Sequence, residues 1–259
     1  FTSYATESRW RSVGVFARIN YSYDNKYLIE LNGRYDGSSK FPTNQQWGFF
    51  PSVSAAWRVS GERWWNVNPN ILSSLKIRGS WGELGNANVG VYSFIETFNI
   101  DNLSYVIDGV SKPRITSIPS QIPDGLTWET SRTIDGGIDV GFYNGKINLT
   151  ADYYVRNTLD MYTVGPTLPD TYGASAPKGN YADLVTRGFE LSLSYDDSFK
   201  LGAHNLNVGF KATLADNRSF ITRYNNPTKS LGDYYVGQEI GEIWGYEFDG
   251  ENRTVDVHI

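Results

Sequence analysis

The chain has 259 residues but no cysteine, one methionine and two histidines. Without cysteine there are no disulfide staples, no thiol nucleophile and no thiolate metal site. His204 falls in a turn and His258 in the tail, and neither has a metal-binding partner at a recognisable spacing. A basic surplus is also missing. The net charge is −5, which argues against nucleic acid as a partner. No phosphate-cradling GxxxxGK loop occurs. No apolar run approaches the roughly 20 residues of a membrane-crossing helix. That absence leaves a membrane open, because a transmembrane barrel shows only short segments of alternating hydrophobicity. The first ten residues, FTSYATESRW, lack the basic start and apolar core of a signal peptide. They predict either a cytoplasmic protein or an internal piece of a longer precursor. The final RTVDVHI follows a loop-like stretch and completes no recognisable strand, so both ends read as cut.

What the chain does have is aromatic side chains and period-two alternation. Tyrosine leads with 18 copies, against 13 phenylalanines and eight tryptophans. Tyrosine and tryptophan pair an apolar body with a polar tip and favour boundaries between water and apolar surroundings. Residues 34–57, RYDGSSKFPTNQQWGFFPSVSAAW, join the end of one alternating strand to the start of the next. Before the loop, Tyr27, Ile29, Leu31, Gly33 and Tyr35 share one face and Leu28, Glu30, Asn32, Arg34 and Asp36 the other. After it, Phe49, Pro51, Val53, Ala55 and Trp57 oppose Phe50, Ser52, Ser54, Ala56 and Arg58. Successive side chains on a strand point to opposite faces, so each strand has one apolar and one mostly polar face.

The rest of the chain repeats this unit. Alternation predicts strands near residues 11–23, 27–36, 47–60, 75–82, 127–143, 147–156, 187–195 and 206–215. Asp24-Asn25-Lys26 and Asn144-Gly145 are turn signals. Arg187 shares the apolar parity of its strand and reads as lying near that strand's end. Everything from Asp216 onward reads as loop. Connections alternate: 24–26, 144–146 and 197–203 are short and 61–74 moderate, the one member of that set that is not tight, while 37–46, 83–126 and 159–182 form the longer set. That asymmetry, with aromatics at the strand ends (Tyr23, Tyr27, Phe142 and Tyr143 at one, Tyr35, Trp47 and Trp81 at the other), predicts an outer-membrane barrel. A soluble antiparallel sandwich also alternates and is the competing reading.

Charged residues gather on the polar parity: Arg18, Glu30, Arg34, Arg58, Lys76, Arg78, Asp135, Asp139, Asp152, Arg156, Glu190 and Lys211. In a barrel these twelve face the lumen, and their mixed signs fit a wet or plugged interior rather than a single-sign ion filter. Asp135 and Asp139 share a face and form a paired-carboxylate motif, which a polar row explains without catalysis. If the fourth and fifth strands are neighbours, Lys76 or Arg78 should come within salt-bridge reach of Asp135 or Asp139.

Five ordered segments resemble the SusC/RagA family of TonB-dependent outer-membrane transporters. They are RYDGSSKFPTNQQWGFFPSVSAAWRVS, LSSLKIRGSWGELGNANVGVYSF, LTWETSRTIDGGIDVGFYNGKINLTADYY, NYADLVTRGFELSLSY and GQEIGEIWGYEFDG, spread over roughly residues 10–250. The resemblance implies an all-β fold, an antiparallel up-and-down transmembrane β-barrel segment of about eight strands within a larger barrel of roughly 22. It implies that residues 1–259 are part of the barrel domain, with the plug, the TonB box and the remaining strands lying elsewhere. After Gly250 the chain departs from the family, where an apolar segment is usual. The implied role is import of oligosaccharide or peptide across the outer membrane of a Gram-negative bacterium of the Bacteroidota. The implied partners are a SusD-like lipoprotein, TonB acting through the plug and the outer-membrane lipid, with no cofactor and no enzymatic activity. Two other functions fit the residues alone: a complete eight-stranded barrel serving as an adhesin or structural protein, and a soluble sugar-binding β-sandwich.

Overall fold

Long alternating runs with few breakers become long strands. In the computed structural model, which describes residues 5, 7–98, 100–102, 104–107, 109–116, 121–123, 125–173, 175–202, 204–248 and 254–258, eight of them form one antiparallel sheet. They are β1 (Ser12–Tyr23), β2 (Tyr27–Ser38), β3 (Trp47–Arg58), β4 (Ser74–Asn86), β7 (Glu129–Phe142), β8 (Ile147–Val164), β9 (Lys178–Leu201) and β10 (His204–Arg223). Two small hairpins stand apart: β5 (Ile100–Asn102) with β6 (Arg114–Thr116), and β11 (Trp244–Phe248) with β12 (Thr254–His258). The sheet order follows the chain, β1-β2-β3-β4-β7-β8-β9-β10, so every strand pairs with its neighbour in sequence. Among the described residues β1 and β10 do not pair with each other, so the sheet is open.

The connections alternate between two ends as expected, although length alone does not sort them: the one after β3, residues 59–73, is longer than the one after β2, residues 39–46. The turn after β1 uses positive φ at Asp24 and Asn25, both 52°. Asp and Asn tolerate that left-handed geometry, which matches the twist of a tight hairpin. The turn after β7 places Tyr143 and Asn144 at φ 50° and 57° before Gly145 at 83°. Phe142 pairs with Ile147, so the reversal is centred on the Asn-Gly pair, as the sequence predicts. The connections after β3 and β9 lie at this same end, and those after β2, β4 and β8 at the other.

Register fixes the faces. Ile19 pairs with Leu31, Leu31 with Val53, Val53 with Trp81, Trp81 with Ile134 and Ile134 with Val155. Paired residues share a face, so the apolar sides of these strands merge into one surface. Among the described residues no other element covers it: Ile19 is 63% exposed, Leu31 46% and Phe210 62%. Burying one such side chain is worth about 1.5–3 kcal/mol, so a whole row left in water is untenable. A sandwich would lay a second sheet over this face, and here the one large sheet has none. Buried apolar residues collect instead at the long-connection end. Phe41, Val89 and Leu126 form one cluster, packed by Trp128 and Tyr162. Ala182, Ile221 and Tyr224 form a second, packed by Met161 and Leu184.

Several sequence expectations are corrected. The loop expected at 159–182 shrinks to residues 165–177, since β8 runs to Val164 and β9 starts at Lys178. A bulge near Asp160, whose φ is 55°, shifts the register there and breaks the alternation that would have revealed it. β10 continues past Asp216 to Arg223, because Asp216 and Arg218 occupy the apolar parity without ending the strand. The turn expected at 197–203 shrinks to the few residues between Leu201 and His204. Arg187 lies well inside β9, not near its end. The tail reads as loop in the sequence, yet Thr254–His258 pairs with Trp244–Phe248.

Candidate functional site

All twelve charged residues of the polar parity lie on one face of the sheet. Arg58 pairs with Lys76, Lys76 with Asp139, Gly137 with Asp152, Asp152 with Glu190, and Lys211 with Ser194 in the same alternation. Arg18, Glu30, Arg34 and Arg156 follow by the same register.

The densest cluster sits where β4, β7 and β8 run side by side. Lys76 Nζ donates to Asp139 Oδ2 at 3.2 Å. Arg78 Nε donates to Asp139 Oδ1 at 3.4 Å and Nη2 donates to Asp152 Oδ2 at 2.7 Å, with Asp135 3.8 Å from Nη1. The expected contact between the basic pair and the two aspartates is therefore present, and Asp152 joins it from the next strand. Gly137 makes this possible: it stands directly opposite Arg78, and an added Cβ would come within 2.9 Å of the guanidinium carbon. A side chain there would block the reach of Arg78 across β7 to β8. Asp152 Oδ1 is buried without a hydrogen-bond partner. With Glu190 beside Asp152 in register, four carboxylates face Lys76 and Arg78, with Arg58 opposite Lys76 at the margin, so this part of the face keeps a small acidic surplus.

Nearer the long-connection end the charges are matched. Arg18 Nε donates to Asn32 Oδ1 at 2.8 Å and lies 3.7 Å from Glu30. Arg34 Nε donates to Asp36 Oδ2 at 2.5 Å. Together with Phe16, Phe50 and Trp128 these residues line a recess of about 1000 Å³. Of the remaining candidates, Arg156 lies over the Tyr154 ring at 5.5 Å, and Lys211 lines a smaller recess with Asn148 and Ser194. The cluster thus takes in Lys76, Arg78, Asp135, Asp139 and Asp152, while Arg58, Arg156 and Lys211 stay apart from it. Among the described residues no group of three or more His, Cys, Asp or Glu is placed to hold a metal.

Two further polar knots were not legible beforehand. Glu62, in the connection after β3, accepts from the Tyr27 hydroxyl at 2.6 Å and from the Trp57 indole at 3.0 Å, with Lys26 3.7 Å away. These hydrogen bonds, the Tyr27 one first, hold its carboxyl below the usual carboxylate range. Around it Tyr23, Tyr27, Trp57 and Trp64 form a chain of ring contacts at 6.4–6.5 Å. At the opposite end Arg223 donates to both oxygens of Asp183 at 2.7 Å and to Asp160 at 2.8 Å. Asn180 there accepts from the Thr127 backbone N–H at 2.9 Å and donates to the Thr127 carbonyl at 3.1 Å. The signal missed was the bulge at Asp160, which hid these residues inside an assumed loop.

Comparison with known proteins follows this geometry. Residues 2–240 match the family model described as TonB dependent receptor-like, beta-barrel. The TonB-dependent receptor P3 of Formosa agariphila is 30% identical over 266 residues, covering 96% of this chain and 25% of the relative. The TonB-dependent receptor SusC of Bacteroides thetaiotaomicron is 30% identical over 260 residues, covering 99% of this chain and 24% of the relative. The chain thus spans about a quarter of the length of these curated relatives. Among solved structures, the RagAB peptide importer in its open-open state superposes with a TM-score of 0.72 at 25% identity, covering 92% of this chain and 26% of that one. The RagAB peptide transporter gives 0.71 at 22% identity over 92% of this chain and 26% of that one.

Proposed function

The chain belongs to the TonB-dependent receptor β-barrel family, and we propose that it forms part of the wall of an outer-membrane transporter. One observation carries the reading. The large sheet exposes its apolar face and gathers its charge on the other, the reverse of a sheet folded in water. In a bilayer that face meets hydrocarbon, and the charged face lines a wet lumen holding Arg18, Glu30, Arg34, Arg58, Lys76, Arg78, Asp135, Asp139, Asp152, Arg156, Glu190 and Lys211. Tyr23, Tyr27, Phe142 and Tyr143 at one end and Tyr35 and Trp47 at the other take the two membrane interfaces, while Trp81, expected among them, lies inside β4 opposite Val53. The end carrying the long connections then faces outward, as long loops do in this class.

The open edges of β1 and β10 favour a segment of a larger barrel over a closed eight-stranded one, since unpaired edge groups in hydrocarbon cost several kcal/mol each. The plug, the TonB contact and the remaining strands then belong to the rest of the protein. The cargo is an oligosaccharide or a peptide, with a SusD-like lipoprotein as the partner at the outer face. The RagAB peptide importer among the similar structures supports the peptide class, and the oligosaccharide class rests on the family resemblance of the sequence. Relatives in Bacteroides and Formosa support a Gram-negative host of the Bacteroidota. The full-length protein should fractionate with the outer membrane. Deleting its gene should abolish energised uptake of one class of labelled oligosaccharide or peptide while sparing monosaccharides. Recovery in the soluble fraction, or unchanged uptake across both classes, would overturn the proposal.

A further inference from the structure

Charge interrupts the apolar face on four strands on the side of the long connections. On β4 Trp81 gives way to Glu83, and on β7 Ile134 gives way to Arg132. Those two charges answer each other at 2.7 Å. On β9 Phe189 gives way to Arg187, and on β10 Leu214 gives way to Asp216 and then Arg218. There the charges do not cancel. Arg187 and Arg218 stand directly opposite each other in the β9–β10 register, and both are exposed. Like charges directly opposite on a ladder repel. Two carboxylates are near. Glu239 approaches Arg218 only to 3.9 Å, and Asp216 lies one step toward the strand middle without an ion pair to either arginine. Among the described residues Arg187 has no carboxylate within 4.0 Å.

We propose that Arg187 and Arg218 together seat the phosphate of a lipid headgroup in the outer leaflet. The inference rests on the membrane reading above. Two guanidinium forks carried by directly opposed residues offer paired N–H donors that match phosphate oxygens, and an anion between them turns their repulsion into attraction. The position selects a lipid over a soluble anion. Phe189 and Leu214 lie on the same face just beyond the pair, where the acyl chains of that lipid run. A headgroup held here therefore engages its charge and its chains at once, which free phosphate cannot do.

The test uses the full-length protein extracted from outer membranes in mild detergent. Phosphate-bearing lipid retained per protein is counted by native mass spectrometry. Replacing Arg187→Ala and Arg218→Ala together should reduce retained lipid by about fivefold per arginine, the effect of one basic residue at an anionic membrane surface. The double Lys variant, which keeps the charge but not the fork, should retain more than the Ala variant and less than the wild type, and guards against loss through misfolding. Equal retention in the Ala variant would overturn the proposal, as would displacement from the wild type by millimolar inorganic phosphate, which marks a soluble anion site. A wild-type protein absent from the outer membrane would sink the membrane reading and this proposal together. Unchanged retention in a correctly located variant sinks the proposal alone.

Discussion

The middle of the sheet and its long-connection end obey opposite rules. In the middle, Ile19, Leu31 and Ile134 are exposed while Asp139 and Asp152 are mostly covered by one another's partners. At the end, Phe41, Leu126 and Ile221 are almost fully buried and Arg223 is on the surface. The first arrangement needs a solvent other than water on one side; the second is the burial pattern of a water-soluble domain. One chain carries both because its strands pass from one environment into the other, and the charged border at Arg132, Arg187 and Arg218 marks the passage.

The largest effect should come from breaking the water-like end. Phe41 is fully buried and its ring lies 4.9 Å from that of Trp128. Phe41→Ala should cost about 3–5 kcal/mol of local stability. The loss should appear as faster hydrogen exchange in the connections after β2 and β4, with the β2–β3 ladder unchanged. A uniform rise across the sheet would show that the two regions are one cooperative unit.

Next comes the face assignment in the middle. Val53 lies on the apolar face and Ser54 on the charged one. Val53→Arg should destabilise the full-length protein by about 2–4 kcal/mol, the cost of arginine near the midplane of a barrel's lipid face. Ser54→Arg, joining a wet and charged face, should cost less. Yield of heat-modifiable protein from outer membranes measures the difference, and equal yields would reverse or dissolve the contrast.

A smaller change should follow from Arg78. It connects Asp139 of β7 to Asp152 of β8 across Gly137. Arg78→Ala leaves those carboxylates facing each other with Lys76 alone, at a cost of about 1–3 kcal/mol. Gly137→Ala should mimic it in part by obstructing the same reach. Matching losses from the two variants, with no further loss when they are combined, would confirm one shared contact.

Legibility in the sequence followed the same division. The middle of the sheet was readable because alternation is strict wherever a strand separates two unlike surroundings. Eight strands and their faces follow from that one rule, and sequential pairing adds their order and a meeting of the β4 cations with the β7 aspartates, without fixing which of them touch. The long-connection end was not, because burial there depends on residues far apart in sequence. Phe41 meets Val89 and Leu126, and Asn180 meets Thr127, without any local period. The bulge at Asp160 and the charges Asp216 and Arg218 interrupt alternation inside continuous strands, so β8, β9 and β10 all read too short. Asp152 was on the charged row, yet its bond to Arg78 required knowing that residue 137, between them, is a glycine aligned with both.

The smallest effect tests the short-turn end, where aromatics and a single carboxylate share the boundary. Glu62 accepts hydrogen bonds from Tyr27 and Trp57, and these depress its folded-state pKa. A carboxyl depressed on folding contributes stability that is fully present above its unfolded value. That contribution is lost as pH falls through the lower folded-state value. Acidification should therefore leave the knot intact through the ordinary glutamate range and release it only below. Trp57 reports the event, because protonating Glu62 weakens the acceptor of its indole N–H and the ring then shifts against Tyr27. Its fluorescence should change in one step below the usual Glu pKa, and Glu62→Gln, which has no proton to gain, should flatten that step. A transition at or above the ordinary glutamate range, or one that survives in the Gln variant, would separate the aromatic chain from its carboxylate. The boundary at this end would then rest on ring packing alone, unlike the charged border opposite.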